Sequence, residues 1–194
     1  QAFGAGEEEK AKGAAAQSVM TALVVGIVLT ALTTGLSDSI VRWMQVAPEI
    51  REAASMYFRI LYAPMLFRAM SILFGTVLRA VGDTRTPMRV GIQVNAINVF
   101  LNFLLIYPSR RVLFFGVSIP LWGAGWGING AAAASALAYT YGGIAMLVRL
   151  WNHRSVSPRG ARFAPDLQVL KPCFRVAIPN MLQRFGTSLG YVAF

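Results

Sequence analysis

Cysteine and histidine are almost absent, with Cys173 and His153 the only ones in 194 residues. A lone thiol rules out an internal disulfide, and the two residues together cannot build a Cys- or His-rich metal centre. Acid is scarce as well, with 8 Asp and Glu against 18 Lys and Arg. Each of these acids, Glu7, Glu8, Glu9, Asp38, Glu49, Glu52, Asp83 and Asp166, falls between the long apolar runs. H-E-x-x-H, G-x-S-x-G and P-loop patterns are all missing. An enzyme is hard to assemble from such residues, and no cofactor is expected. Charged residues make up 13% and apolar residues 56%, with a mean hydropathy of +0.54. Ordinary soluble domains carry about 25% charge, so this composition asks for a bilayer. The chain also lacks an opening Met and a basic segment followed by an apolar core. No signal peptide is expected, and the sequence reads as a piece of something longer.

The net charge of +10 raises nucleic acid as a partner. The basic residues, however, sit mostly in short loops between apolar runs and form no patch interleaved with aromatics. Membrane lipid is therefore the expected partner and nucleic acid is not.

What is present is a series of apolar runs long enough to cross a hydrocarbon core of about 30 Å. The fold class they predict is all-α, a polytopic membrane helix bundle. A first span covers about 13–37, without a charge. Trp43 follows as an interfacial aromatic. A second span, about 53–78, carries Arg59, Pro64 and Arg68. Arg59 lies near one end and can snorkel, but Arg68 falls near the middle. Two readings of Arg68 stand side by side: it donates to carbonyls freed by Pro64 or snorkels, or it lines a water-filled cavity.

Leu78 to Asn102, LRAVGDTRTPMRVGIQVNAINVFLN, joins the second span to a third at about 90–107 through a basic elbow. Gly82 and Pro87 stop one helix and start the next. Asn95, Asn98 and Asn102 fall at i, i+3 and i+7, a polar stripe in a segment that has no charge from Val90 to Ser109. Amides at that depth must face protein or water. Pro120 and the run GAGWGING place a loop over 108–126, followed by a fourth span over 127–150. Gly125, Gly127 and Gly130 match G-x-G-x-x-G, but no strand is read before them and an Ala-rich membrane helix follows, so a dinucleotide site is not supported. The stretch GAAAASALA from Gly130 is instead a small-residue face for close helix approach. Residues 152–175 form a polar, basic linker, and a fifth span begins near Val176.

QAFGAG at Gln1, LRAVGDTRTPM at Leu78, NAINVFLNFLLIY at Asn95, GINGAAAASALA at Gly127 and RVAIPNMLQ at Arg175 resemble, in order and spacing, the multidrug and toxic compound extrusion (MATE) transporters. The resemblance covers nearly the whole chain and implies two six-helix lobes. It makes residues 1–151 helices three to six of an incomplete first lobe, 152–175 the interlobe linker, and 176–194 the start of the second lobe. It also implies secondary active efflux of drug-like, often cationic compounds in exchange for Na+ or H+, with the remainder of the same polypeptide as partner. Carried over by position, Asn98 and Asn102 match a fifth-helix Asn followed four residues later by an acid, and Ser135 matches a sixth-helix hydroxyl. Asn102 departs from the acid often found there, and Thr187 stands where some members have Glu. Asn98 and Asn102 are thus candidate Na+ ligands, with Ser135, Asn95 and Arg68 on the cation and substrate pathway, but an amide cannot carry the proton. Alternatives are a lipid-linked oligosaccharide flippase of the same superfamily, whose anionic carrier Arg68 would meet, and a non-transporting membrane scaffold.

Orientation follows from the loop charges. Alternating the loops puts 11 Lys and Arg on the side of the Asp83 elbow and the 152–175 linker, and 5 on the other, counting Arg59. By the positive-inside rule the elbow and linker are cytoplasmic in a multi-pass protein of the cell membrane, with a bacterial inner membrane expected. In a chain freed of Cys173, an impermeant thiol reagent on intact cells should label a cysteine at Ser118 and not one at Arg85. The reverse pattern would overturn this topology.

Overall fold

The computed structural model describes residues 8–114 and 117–160, with isolated positions beyond 170. Four helical stretches among them are long and apolar enough to cross a membrane: Lys12–Gly35, Pro48–Ala80, Arg85–Leu105 and Gly127–Trp151. They correspond to the four spans expected over these residues. The linker beyond residue 160 and the course of the fifth span from Val176 lie outside the described residues.

Helix α1, Glu8–Gly35, contains no proline, and its hydroxyls turn back onto its own carbonyls. Ser18 Oγ donates to the Ala14 oxygen at 2.9 Å and Thr21 Oγ1 to that of Gln17 at 2.8 Å, so neither meets hydrocarbon unpaired. Ala15, Val19 and Ala22, spaced i, i+4, i+7, are buried, while Val24, Ile27 and Val28 are exposed as lipid-facing residues would be. A short helix α2, Ser37–Trp43, and a 3₁₀ turn, Pro48–Ile50, lead into α3, Arg51–Tyr62. Arg59, near one end of the span, donates to Ser37 Oγ at 2.7 Å and pairs with the exposed Asp38 at 2.6 Å.

The second span is broken, with α3 ending at Tyr62 and α4, Met65–Ala80, starting past Pro64. Proline has no N–H and its ring collides with the carbonyl four residues back, so the helix over 53–78 is interrupted there. The break leaves free amides at the start of α4. Thr30 of α1 answers one, its Oγ1 accepting from the Leu66 amide at 3.1 Å. Gly26 permits this approach, since a Cβ there would lie 2.8 Å from Leu66 Cα.

Helix α5, Arg85–Leu105, begins one turn before the expected residue 90. Asp83 explains the difference, its Oδ1 accepting from the Thr86 amide at 3.0 Å. At the other end of α5 the expected loop holds an antiparallel hairpin of β1, Pro108–Phe114, and β2, Val117–Ala124. Arg111 pairs with Pro120 and Pro108 with Ala124, with an irregularity between Pro108 and Arg110. The prolines and glycines here read as breakers, and they do break helix; the short apolar run between them pairs as strand. Helix α6, Gly127–Trp151, starts where expected. The amides of Gly125, Trp126 and Gly127 donate to the carbonyls of Tyr107, Leu105 and Ile106 at 3.0, 2.9 and 3.1 Å. Unpaired groups at the end of one helix and the start of the next satisfy each other.

Packing places α6 between α4 and α5, with α1 against the far side of α4. Small residues bring the backbones together. A Cβ on Gly143 would strike the Phe67 backbone and one on Gly130 the Leu105 carbonyl, while Gly142 would meet Val94 Cγ2 at 2.8 Å. Ala132, Ala134 and Ala138 are buried on α6, as the small-residue reading of 130–138 requires. Past α6 the chain returns to the bundle, and Val156 joins Phe74, Leu78 and Leu150 in the core.

Two outcomes follow for thermal unfolding of the chain in detergent. Gly143→Leu should destabilise by about 3 kcal/mol, because the obstructing atoms belong to the α4 backbone and cannot swing aside. Gly91→Ala, at a position with open space, should stabilise by up to about 1 kcal/mol through helix propensity. The Thr86 hydroxyl, then its amide and His153, hold the Asp83 carboxyl below its ordinary value of 3.8. A depressed carboxylate stabilises above its unfolded pKa and loses that contribution as pH falls through the folded value. Asp83→Ala should therefore cost about 1 kcal/mol at pH 7. The cost should shrink as pH falls below 3.8 and through the depressed folded value, with the difference in unfolding temperature between wild type and variant as the measure.

Candidate cation and substrate site

The α5 and α6 helices run antiparallel, held close by Gly130 at one end and Gly142 towards the other. Between these contacts even short side chains can bridge the helices. Asn98 Nδ2 donates to Ser135 Oγ at 3.0 Å, and Asn102 Nδ2 donates to Asn98 Oδ1 at 3.0 Å. Two amides one turn apart on α5 and a hydroxyl on α6 thus form one hydrogen-bonded chain, half-buried at the helix contact. The far end of that chain is unfinished. Asn102 Oδ1 is buried and has no hydrogen-bond partner among the described residues.

Asn95 does not join the chain. It is exposed and lies in an open apolar groove with Ile92, Val99 and Phe103. The three asparagines share a broad stripe, but Asn95 sits about 60° around the helix from Asn98, enough to take it off the α6 contact. Arg68 donates to none of the carbonyls freed by Pro64 among the described residues. Its guanidinium lies over the Tyr139 ring, 5.0 Å from the centroid. Tyr139 is one turn beyond Ser135 on α6, so Arg68 on α4 and the amide chain on α5 approach neighbouring turns of the same helix. No carboxylate lies within ion-pair distance of Arg68 among the described residues.

Three participants escaped the sequence reading. Tyr139 is one; an aromatic on an α6 turn gave no signal that it would carry a cation. Asn129, in the first turn of α6, has a buried Oδ1 without a partner among the described residues. The third is Gln93, whose Oε1 accepts from the Tyr141 hydroxyl at 2.9 Å and adds a second polar bridge between α5 and α6. Asn129 follows the glycine run and Gln93 lies one turn from Arg89, and each could have been found by asking where an uncharged span still carries an amide.

Chemically, the site offers amide and hydroxyl oxygens. Among the described residues no group of three or more His, Cys, Asp or Glu could hold a metal ion. An unpaired buried amide oxygen costs about 1–3 kcal/mol until a donor or cation reaches it. Oxygens of this kind can replace the hydration shell of an alkali cation. They do not titrate near neutral pH.

Comparison with known proteins bears on this arrangement. Over its 194 residues the chain is 29% identical to a probable multidrug resistance protein NorM of Thermotoga maritima, covering 100% of this chain and 39% of that protein. An inward-facing multidrug resistance MATE family transporter of the MOP superfamily matches with a TM-score of 0.74 at 26% identity, over 92% of this chain and 38% of that one. A MOP superfamily transporter from Pyrococcus furiosus, whose binding pocket of reversed polarity suggests a different function, matches with a TM-score of 0.78 at 26% identity, over 96% and 38%. The chain thus spans about two fifths of the length of these relatives. Residues 1–104 match the MatE family model. With more than half its residues in that match and the same helical arrangement, this multi-pass membrane chain belongs to the MatE family.

Proposed function

We propose that the chain is part of a secondary active efflux transporter that exchanges drug-like, often cationic compounds for Na+ or H+, with Asn102, Asn98 and Ser135 on the cation pathway. The observation that carries this reading is the buried, unpaired Asn102 Oδ1 at the end of a hydrogen-bonded chain joining two helices. Polar groups inside a membrane bundle are expensive and mark transport pathways by default. The name of the Thermotoga maritima relative supports drug efflux as the activity. In this reading Asn102 and Asn98 would present oxygens to Na+ and Ser135 would hold Asn98 in place. Coupling to H+ would need a carboxylate from another part of the polypeptide, because the amides cannot take up the proton.

In the same reading residues 1–151 belong to the first lobe, 152–175 link the lobes and 176–194 open the second. Asn95 would face the substrate across the apolar groove. The loop charges support a bacterial inner-membrane location with the elbow and linker cytoplasmic.

Arg68 favours a second reading. A mid-span cation stacked on Tyr139, with no carboxylate beside it among the described residues, suits the anionic carrier of a lipid-linked oligosaccharide. Gradient-driven dye efflux from proteoliposomes holding the full-length polypeptide supports the antiporter; oligosaccharide-lipid translocation without dye efflux supports the flippase.

For the site, Asn102→Leu should abolish coupled efflux while folded yield stays near wild type. Asn102→Asp should retain efflux and make it more pH-dependent. Were the amides only holding helices together, Asn102→Leu would cost roughly 0.6–2 kcal/mol of stability and spare transport. Wild-type efflux kinetics from the Leu variant would remove Asn102 from the pathway.

A further inference from the structure

Where α5 starts and α6 ends, Arg89 and Arg149 meet at a recess of about 50 Å³ that also takes in Thr86 and Gln93. That volume holds about four water-sized groups, comparable to a tetrahedral oxyanion. Through Gln93 and Arg149 the recess is continuous with a groove of about 320 Å³ floored by Val90, Ala145 and Val148. The Tyr141 hydroxyl bonds Gln93 across the groove and ties its two walls together.

Charge and depth both bear on what this cleft holds. No acidic residue lines either cavity, and neither arginine is in an ion pair among the described residues. The nearest acid in sequence, Asp83, accepts from the Thr86 amide and faces His153 at 4.0 Å. The positive end of the α5 dipole and the negative end of the α6 dipole meet here and oppose each other, so the net positive charge of the recess comes from the two arginines. Arg89 is the last charge before the uncharged stretch Val90 to Ser109, and Arg149 is the first charge after the uncharged stretch Val112 to Val148. The recess therefore lies at headgroup depth, and the groove runs from Asn152 at that level inward past Val148 and Ala145 to Tyr141 at acyl-chain depth.

We propose that the cleft binds the phosphate of an anionic membrane lipid between Arg89 and Arg149, with an acyl chain lying along Val90, Ala145 and Val148. Basic pockets between membrane helices recognise lipid headgroups in this way, and each arginine near the surface contributes roughly fivefold in affinity, the pair roughly thirtyfold.

The test is native mass spectrometry and thermal unfolding of the full chain with phosphatidylglycerol, phosphatidylcholine or glycerol phosphate. Phosphatidylglycerol should be retained and should raise the unfolding temperature, while phosphatidylcholine and glycerol phosphate should not. The double variant Arg89→Gln, Arg149→Gln should bind phosphatidylglycerol roughly thirtyfold more weakly, and the corresponding double lysine variant should keep most of the binding. Arg111→Gln, at the opposite end of the bundle, should bind as wild type. Should the double glutamine variant fold poorly, Arg149→Gln alone carries the test at roughly fivefold. Undiminished phosphatidylglycerol binding by the glutamine variants would overturn the proposal. Equal protection by glycerol phosphate would make the cleft a soluble-phosphate site, and an equal loss in Arg111→Gln would reduce the effect to general surface charge.

Discussion

In hydrocarbon no water is available to pair a free backbone N–H or C=O, and each such group costs several kcal/mol. This chain interrupts its helices at several points and answers the freed groups at each. The Pro64 break is met by Thr30 from the neighbouring helix. The elbow is met by Asp83, and the α5–α6 turn by amides and carbonyls that pair with each other. The breaks are tolerated because the packing supplies partners, and the packing in turn depends on where the breaks fall.

Close packing then creates the polar site. With α6 between α4 and α5, Gly143 and Gly130 let α6 come within backbone contact of both neighbours. At that separation a serine and an asparagine can bridge two helices without a long side chain or a water. The same helix carries Tyr139 beneath Arg68, so the mid-span cation and the amide chain share one scaffold. A change in the seating of α6 would move both, which makes α6 the element through which the two polar features can be coupled.

Much of this was legible in the amino-acid sequence. Four spans, the elbow and the small-residue face of α6 follow from apolar run length, Gly and Pro punctuation and the alanine-rich stretch, because a bilayer imposes length and composition directly. The family could be recognised from the GDTRTPM and INVFLN blocks together. Placing Asn98, Asn102 and Ser135 as neighbours was also within reach, since successive antiparallel membrane spans bring those turns to a similar depth.

Other features were decided only by tertiary structure. Whether Arg68 would find carbonyls, water or an aromatic face depended on which helix lay opposite, and α6 brought Tyr139. Arg59 met Asp38 because the chain reverses between α2 and α3 and brings the first turn of α2 beside the last turn of α3, a turn no periodicity announces. Asn95 fell outside the amide chain because the angle of α5 against α6 admits Asn98 and excludes a side chain 60° away. The 108–126 segment became a hairpin because its strands found each other in register, a cross-strand pairing that the propensity of single residues leaves open. By itself the sequence determined how many times this chain can cross a membrane and where its backbone must be interrupted, because those are one-dimensional properties of length, apolarity and proline. Which polar groups pair, and which oxygen is left without a donor, was decided by helices distant in sequence, because hydrogen bonds and cation–π contacts act only over a few ångströms.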